Sequence, residues 1–328
     1  MNKELKLWQF AARKLNRNES VMLLVVADSS GSSPGRQGYK MAVAGDEMCG
    51  SVGGGIMEVR LVELAKVKSK WAKDKKISSI VEQVHQKSSA NSSGMVCSGS
   101  QTVVFYKLNQ QNLTTIRKTI SALANHQSVS LLISDSTFQI RENQSDELDF
   151  RFRRLSETEF FYEEKLDCKN KLFIVGGGHC SLALSEIMSK MDFYITLFDD
   201  RPNLNTLAKN EFVHAKQIVE SYEKIDEFIS SGANHFVVVM TLGYKTDEIV
   251  IKRLLDKNFK YFGVLGSRAK MATLLKKLKK EGSPEEKLNE IHTPIGLPIN
   301  SRTPEEIAIS IAAEIIAVKN KTVKKIGS

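Results

Sequence analysis

The sequence predicts an α/β protein of two domains: an N-terminal α/β domain over residues 1–167 and a Rossmann-like, doubly wound parallel-sheet domain over residues 168–328. Three observations predict this fold class. The 328 residues suffice for two domains of about 100 to 200 residues each. Two triple-glycine turns, Gly53–Gly55 and Gly176–Gly178, each precede a helical pattern. In the second half, short apolar runs alternate with helical patterns, as a parallel sheet requires.

The composition and charge exclude several classes of protein. No apolar run approaches the roughly 18 residues of a membrane span, and the N-terminal stretch has the pattern of an amphipathic helix rather than a signal peptide. We therefore predict a cytoplasmic protein with no membrane partner. Much of the net charge of +9 lies in lysines at 270–280 and 319–325 without interleaved aromatic residues, which argues against a nucleic-acid partner. The four cysteines have no C-x-x-C spacing, which predicts free thiols and no metal site.

The first domain begins with a helix followed by two strands. Val21–Ala27 has the pattern of a buried strand, and Met41–Ala44 is a second strand followed by a Gly-Asp turn that predicts a hairpin. The turn Gly53–Gly55 leads directly into a helix with apolar residues at helical spacing. A further strand is predicted at Thr102–Tyr106.

The stretch from Asn109 to Asp167 is mostly polar. It holds a predicted helix at Ile116–Ala124 and a predicted strand at Val129–Ser134, and then becomes highly charged. Because long apolar runs are missing, we expect this stretch to be a lobe edge or connector. The domain boundary is expected near Asp167–Asn170.

The glycines at 53–55 form the first candidate ligand site. Backbone N–H groups at the start of a helix bind anions, and glycine lets a ligand approach the backbone closely. Glu58 lies in the first helical turn. Four upstream side chains are possible donors to a polar ligand: Ser32, Ser33, Arg36 and Lys40. A turn that binds nothing remains the alternative.

Two cysteines are candidates for a reactive thiol. Cys97 lies in a loop of small residues, where a thiol is more often accessible than in a core strand. Cys180 lies in the first turn of a predicted helix, where the helix dipole is expected to lower the pKa of the thiol. Position in the sequence does not separate the two.

The second candidate site is a βαβ unit with a dinucleotide-type fingerprint. The apolar run Leu172–Val175 ends at Gly176, Gly177 and Gly178, a helical pattern follows, and the next strand ends at Asp199. In such units the glycines admit a pyrophosphate to the helix N-terminus, and the carboxylate accepts hydrogen bonds from ribose hydroxyls. Asp199 follows Gly178 by 21 positions, close to the usual spacing of about 20. Ser181 occupies the place of the third glycine, so a βαβ unit without a ligand is the alternative.

The doubly wound pattern continues after this unit. Phe212 and Val213 are strand-like, and further strands are predicted at His235–Thr241 and Tyr261–Gly266. Thr303–Glu306 reads TPEE, a capping box that predicts the start of a last helix.

Ligands of doubly wound sheets bind at the carboxyl ends of the strands. This rule groups the second glycine turn with residues that follow the other strands. They are His179, Asp199, Asp200, Arg201, Thr241–Tyr244, Gly266, Ser267 and Arg268.

These motifs together resemble the XdhC/CoxI family over most of the chain. In the first half the resemblance rests on GSSPGRQGYKM at Gly31–Met41, GSVGGGIME at Gly50–Glu58 and MVCSG at Met95–Gly99. In the second half it rests on VGGGHCSLAL at Val175–Leu184, FDDRP at Phe198–Pro202, GSRAK at Gly266–Lys270 and IHTPIGLPINSRTPEEIAISIAAEI at Ile291–Ile315. Leu242, Ile56 and Ser98 depart from the usual pattern, which often has histidine, cysteine and glycine there.

The resemblance implies an XdhC-type first domain and a maturation factor for xanthine dehydrogenase-type molybdenum hydroxylases. Such a factor binds the molybdenum cofactor, molybdopterin, assists its sulfuration and delivers it to the client enzyme. The implied partners are the client and a cysteine desulfurase-type sulfur donor. A homodimer is expected only because most oligomers of soluble proteins are symmetric. Cys97 is the implied contact to molybdenum or sulfur. The implied cofactor site is lined by Ser32, Pro34, Gly38, Gly53, Gly54, Gly55 and Glu58.

Two other functions remain open from the sequence. One is an NAD(P)-dependent oxidoreductase that uses the Rossmann-like half, although no acid for hydride transfer is evident beside a substrate arginine. The other is a scaffold that has kept both folds and lost both ligands.

Overall fold

The computed structural model describes residues 3–69, 79–85, 99–125, 127–142, 149–156, 158–166, 170–191 and 193–321. The chain divides into two compact units, Met1–Asp167 and Cys168–Ser328. Across the described ranges, no helix combines the length and the apolar character that crossing a membrane needs.

An antiparallel five-stranded sheet with helices on both faces forms the first part of unit 1. The strand order is β3-β2-β1-β5-β4. Its elements are α1 (Lys3–Asn16), β1 (Val21–Gly31), β2 (Lys40–Ala44), β3 (Glu47–Gly50), α2 (Gly55–Ser69), β4 (Ile80–His85) and β5 (Gly99–Leu108). Residues 21–27 of β1 are all buried because alternate side chains enter two cores, one packed with α1 and one with α2.

The stretch predicted to be a lobe edge or connector forms a second, four-stranded sheet with a helix within unit 1. The order of its strands is β7-β6-β9-β8. The elements are α3 (Leu113–Ala124), β6 (Val129–Ser134), β7 (Phe138–Glu142), β8 (Phe150–Arg154) and β9 (Phe160–Leu166). The helix predicted at Ile116–Ala124 and the strand predicted at Val129–Ser134 are confirmed. The expectation of a connector was wrong because β9 buries every second residue, which gives alternation rather than an apolar run. Its Phe160 and Tyr162 join the core that α1 covers.

Unit 2 is a parallel five-stranded sheet in the order β12-β11-β10-β13-β14, which confirms the predicted fold class. The strands are β10 (Asn170–Val175), β11 (Phe193–Asp199), β12 (Ala215–Ile218), β13 (Gly232–Val239) and β14 (Phe259–Val264). The helices are α4 (His179–Met188), α5 (Asn205–Lys209), α6 (Ile225–Phe228), α7 (Tyr244–Leu254), α8 (Arg268–Lys280), α9 (Glu285–Asn289) and α10 (Pro304–Lys319).

Two local predictions in unit 2 have different outcomes. The strand expected at Phe212 and Val213 begins later, at Ala215, so this prediction was wrong. The capping box is confirmed, since Thr303 Oγ1 accepts from the N–H of Glu306 and the side chain of Glu306 accepts from the N–H of Thr303.

Candidate functional site

The first glycine turn precedes α2 and has a backbone that only glycine adopts readily. Gly53, Gly54 and Gly55 have φ angles of +131°, +76° and +65°. A Cβ added to Gly53 would lie 2.6 Å from the backbone nitrogen of Gly35, whereas one added to Gly54 or Gly55 would meet nothing within 4 Å. The turn therefore packs against the preceding loop on one side and is open on the other.

Two buried glutamines that were not predicted from the sequence hold the turn to the loop between β1 and β2. Gln101 Oε1 accepts hydrogen bonds from Ser33 Oγ at 2.9 Å and from Gly35 N at 3.0 Å. Gln101 Nε2 donates to Gln83 Oε1 at 2.7 Å, across the β4–β5 ladder. On either side of the turn, Gln101 Nε2 donates to Val52 O and Gln83 Nε2 to Met57 O, both at 3.4 Å. The available signal was alternation, because Gln101 shares a strand face with Val103 and so carries amide groups into an apolar layer.

Glu58 belongs to the structure of the turn itself. Its Oε2 atom accepts hydrogen bonds from Ser51 Oγ at 2.6 Å, Val52 N at 2.8 Å and Gly54 N at 2.9 Å. Burial acts to raise the pKa of the Glu58 carboxyl, but these hydrogen bonds outweigh burial and lower it. An ionised Glu58 therefore fixes the turn. Residues 55–57 form the start of α2, where no carbonyl lies one turn earlier to accept from their N–H groups. These N–H groups are the remaining donors of the turn.

Of the four side chains predicted to donate to a ligand, two are buried and bond to other residues of the protein. Ser33 is buried against Gln101. Lys40 is buried and pairs through Nζ with Glu164, and with Glu4 at 3.0 Å, so its prediction as a ligand donor was wrong.

The other predicted residues of the first site lie in different surroundings. Ser32 and Arg36 are exposed, and Arg36 Nη1 donates to Gly31 O at 3.0 Å. Pro34 lies beside the turn, since its carbonyl carbon would be 2.9 Å from a Cβ on Gly53.

Gly38 and Cys97 complete the predicted set. A Cβ on Gly38 would lie 2.5 Å from the ring of Phe150 and 3.5 Å from Glu164 Oε2, so Gly38 borders the buried ion pair of Lys40. Cys97, the predicted reactive residue, lies outside the described residues.

The second glycine turn follows β10 and is packed closely against its neighbours. Gly176 has a φ angle of +107°, and a Cβ there would lie 2.3 Å from Met240 O. Ser181, in the place of the third glycine, is fully buried and donates through Oγ to Gly176 O. The hydroxyl group thus ties α4 to the end of β10.

Asp199 makes internal contacts at the position where a ribose ligand was predicted. Its side chain is fully buried. Its Oδ2 accepts from Gly177 N at 2.6 Å and from Arg201 Nη2 at 2.8 Å, and its Oδ1 accepts from Arg201 N at 2.9 Å and from Arg201 Nε at 2.8 Å. Burial acts to raise the pKa of the Asp199 carboxyl, but the bonds from Arg201 and Gly177 lower it overall. A carboxylate offers about four lone-pair sites, so these four bonds occupy its acceptors.

The remaining predicted residues lie at the ends of the parallel strands. Gly178 precedes α4, a Cβ there would meet nothing within 4 Å, and His179 is exposed. Asp200 and Arg268 are also exposed. Ser267 Oγ accepts from Lys270 N at 3.3 Å and so caps α8.

A buried carboxylate that was not predicted connects two of these segments. Asp247 is buried, accepts through Oδ1 from Thr241 Oγ1 at 2.6 Å, and pairs through Oδ2 with Lys270 Nζ at 2.9 Å. It joins the turn after β13 to α8. Leu242, beside Thr241, has 82% of its surface exposed.

Cys180 does not have the lowered pKa expected from its place in α4. Burial, together with the charge of Glu305, raises the pKa of this thiol. The expectation failed because desolvation disfavours the thiolate more than the helix N-terminus favours it. Within the described residues, no group of three or more His, Cys, Asp or Glu side chains is placed to hold a metal ion.

Two family models match this chain. The model described as the XdhC Rossmann domain matches residues 172–315, and the model described as the XdhC and CoxI family matches residues 15–68.

Two curated relatives and one solved structure are similar to it. Uncharacterized protein YqeB of Escherichia coli K12 is 31% identical over 154 residues, which are 46% of this chain and 27% of that protein. A protein of Bacillus subtilis 168, described as a probable xanthine dehydrogenase subunit, is 28% identical over 167 residues, which are 50% of this chain and 48% of that protein. The alignments thus span about a quarter and about half of the relatives' lengths. The fold is similar to a crystal structure of a xanthine dehydrogenase from Bacillus halodurans, with a TM-score of 0.72, 21% identity and coverage of 100% of this chain and 98% of that one.

Proposed function

Because the chain belongs to the XdhC/CoxI family, we propose that it is an accessory factor for a xanthine dehydrogenase-type molybdenum hydroxylase. Its proposed task is to hold the molybdenum cofactor, assist its sulfuration and pass it to the client enzyme. The name of the Bacillus subtilis relative supports a link to xanthine dehydrogenase. A cysteine desulfurase-type donor is the proposed source of sulfur.

The observation that carries this proposal is the preformed glycine turn at the start of α2. Molybdopterin ends in a phosphate, and the open side of Gly54 and Gly55 leaves room for such a group beside the N–H groups of the first helical turn. The network of Gln101, Gln83 and Glu58 holds the turn in this conformation, so binding a ligand would cost little in ordering it. The residues present therefore fit the phosphate end of the cofactor.

In this proposal the protein binds the cofactor and protects it. The cofactor, when bound, supplies the molybdenum chemistry that the client uses. The glycine turn would orient the phosphate end through backbone N–H groups. Cys97 is the proposed contact to molybdenum or sulfur. Unit 2 would bind a nucleotide or related ligand through its phosphate at Gly178 and His179, without a ribose contact to Asp199.

An NAD(P)-dependent oxidoreductase is less well supported than a maturation factor. Its ribose would need hydrogen-bond acceptors at Asp199, and the four bonds to Gly177 and Arg201 already occupy them. A scaffold without ligands is the third possibility, and the same experiment separates all three.

The test is retention of ligand by the purified full chain. The protein is incubated with molybdenum cofactor or, separately, with NADH, and is then desalted before pterin fluorescence and molybdenum are measured. We expect retained pterin and molybdenum, and no oxidation of NADH. Oxidation of NADH that depends on a substrate would favour the oxidoreductase. Retention of neither ligand would favour the scaffold that has lost both ligands.

A pair of glycine variants locates the site. Gly54→Ala is expected to lower pterin retention at least tenfold, because alanine at a φ of +76° distorts the turn and places a methyl group on its open side. Gly45→Ala is the matched control: it has a φ of +58° with equally open space, but lies in the β2–β3 hairpin. Both variants carry a similar strain of about 1 kcal/mol. Equal losses in the two variants would contradict a site at Gly54.

A further inference from the structure

The strand β3 leaves one edge of the first sheet without a strand partner among the described residues. It is last in the strand order and pairs only with β2. Ser51 N donates to Lys40 O, and hydrogen-bonded pairs alternate with non-bonded pairs along an antiparallel ladder. Met48, which faces Val43, therefore belongs to a non-bonded pair. Its N–H and C=O groups point away from β2, and an edge of this kind can accept a further strand.

An open cavity of about 510 Å³ lies where α1 passes this edge. This volume is within the roughly 300 to 1,000 Å³ that is usual for ligand pockets. The cavity is lined by one face of α1 and by β3, with Lys6, Phe10 and Arg13 on the helix and Glu47, Met48 and Cys49 on the strand. A strand added to β3 would therefore lie beside this face of α1.

The cavity carries two cations that form no ion pair with any described residue. Lys6 and Arg13 are both exposed. Arg13 lies over the ring of Phe10, with its Cζ atom 5.4 Å from the ring centroid. The carboxylate in the cavity wall, Glu47, is bonded to Lys14. The cavity thus presents positive charge and an aromatic ring beside an open strand edge.

We propose that an acidic, extended segment of a partner protein docks in this cavity and pairs with β3 as a further strand. The backbone of Met48 would fix its register, as in other cases of strand addition. Lys6 and Arg13 are seven residues, or about 10 Å, apart along α1, and a strand of four residues is about 13 Å long. Acidic side chains at the two ends of such a segment can therefore reach both cations, and an apolar side chain between them meets Phe10.

An acidic partner fits this edge better than a second copy of the chain does. Two β3 edges paired across a two-fold axis would bring Lys6 and Arg13 of both copies to one junction, where like charges repel. The net charge of +9 also attracts acidic partners. The inference goes beyond the proposed function, since it involves neither glycine turn.

Fluorescence anisotropy of labelled heptapeptides, titrated with the full chain, tests the proposal. The probe is Thr-Glu-Thr-Val-Thr-Glu-Thr, which has its acidic side chains and its valine on one face when extended. One control has lysine in place of both glutamates. The other has three prolines between the glutamates, which keep the charges at a similar spacing but donate no backbone N–H. We expect a dissociation constant below about 1 mM for the probe, and binding at least about tenfold weaker for both controls.

Substitutions at Met48 test the strand pairing. Met48→Pro removes the outward N–H, and proline is tolerated where the N–H of an edge strand faces solvent. It should weaken binding of the probe at least about tenfold, because the added strand loses its acceptor contact. Met48→Ala is the matched control, since it keeps the N–H and should bind within about threefold of the wild type.

Charge reversal tests the two cations. Arg13→Glu should weaken binding of the probe at least about tenfold, and the double variant K6E/R13E should bind the lysine peptide better than the probe. Lys118→Glu, on the exposed side of α3, changes the net charge as Arg13→Glu does and should have no effect. Circular dichroism on each variant shows that the fold is kept.

Alkylation of Cys49 locates the bound peptide. Cys49 lies in the cavity wall, whereas Cys180 belongs to unit 2. With the probe at five times its dissociation constant, iodoacetamide should react about sixfold more slowly with Cys49 and at an unchanged rate with Cys180. Mass spectrometry of the digested chain measures both rates, and an unchanged rate at Cys49 would contradict the site.

Four other results would overturn the proposal. The first is a probe that does not bind saturably, and the second is equal binding of the proline peptide, which would show attraction by charge alone. The third is equal binding by Met48→Pro and Met48→Ala. The fourth is self-association of the wild-type chain in sedimentation equilibrium that Met48→Pro abolishes, which would assign the edge to a second copy.

Discussion

The carboxylate of Asp199 hydrogen-bonds to the protein's own glycine turn after β10 and to Arg201. The side chain is fully buried and accepts four hydrogen bonds, from Gly177 and Arg201. A buried charge remains stable only when it is paired and hydrogen-bonded, and both conditions hold here. Asp199 therefore stabilises the end of β11 and the glycine turn after β10.

Asp199→Asn should destabilise unit 2 by about 2 to 3 kcal/mol at pH 7, because an amide cannot accept from donors at both of its ends. The pKa of Asp199 is lowered in the folded state, so its contribution is present above the unfolded pKa of about 3.9 and disappears as the pH falls through the folded pKa. Urea unfolding measured from pH 7 to pH 2 should therefore show a smaller acid-dependent loss in the variant.

Asp200→Asn is the control for this prediction. Asp200 is exposed and lies 3.8 Å from Arg201 Nε, so the same substitution should change the free energy of unfolding by less than about 0.5 kcal/mol. Equal losses for the two variants would show that Asp199 has no special role.

Among the elements of unit 1, the two sheets are joined by a buried ion pair. Lys40 on β2 pairs with Glu164 on β9, and Tyr162 OH donates to the same carboxylate. Burial alone would lower the pKa of Lys40, but the charges of Glu164 and Glu4 raise it overall. Lys40 is therefore charged. Burial raises the pKa of the Glu164 carboxyl and the charge of Lys40 acts to lower it, so the lysine is what favours the ionised form of Glu164 in the core.

Lys40→Met should destabilise the protein by about 3 to 5 kcal/mol, because it leaves Glu164 buried without its partner. The double variant K40M/E164M removes both charges and should be less destabilised than K40M. A double-mutant cycle with urea unfolding measures the coupling.

Arg154→Met is the control for the ion pair. Arg154 on β8 pairs with Glu82 on β4, so it bridges the same two sheets at the surface. Its loss should cost less than about 1 kcal/mol. If K40M costs no more than R154M, the buried pair does not join the sheets as described.

For the whole molecule, the two units have separate hydrophobic cores. Unit 1 contains the cores on the two faces of β1, and unit 2 contains the cores on the two faces of β10. Because each unit has its own hydrophobic cores, we expect each to unfold as a cooperative domain.

Calorimetry should show that Lys40→Met and Asp199→Asn lower different transitions. In the double variant K40M/D199N, the two losses should add to within about 0.5 kcal/mol, since the sites share no partner. A single transition that both substitutions lower equally would contradict independent unfolding.

Much of unit 2 was predictable because its signals are local. The run Leu172–Val175, the glycines that follow and the capping box at Thr303–Glu306 each specify an element through residues close in sequence. The alternation of strands with helices then leaves few topologies, and the parallel sheet was predicted. The second sheet of unit 1 was missed because short alternating strands carry no long apolar run.

The sequence by itself determined the α/β class, the two glycine turns, the last helix and the family. Only the tertiary structure decided the partners of the polar side chains at these turns. Asp199 meets Gly177 from another strand end, Gln101 meets the loop before β2, and Lys40 meets Glu164 from the second sheet. The physical reason is range: a turn or a helix is specified by neighbouring residues, whereas the partner of a buried polar group depends on which distant segments the fold brings within about 3 Å of it.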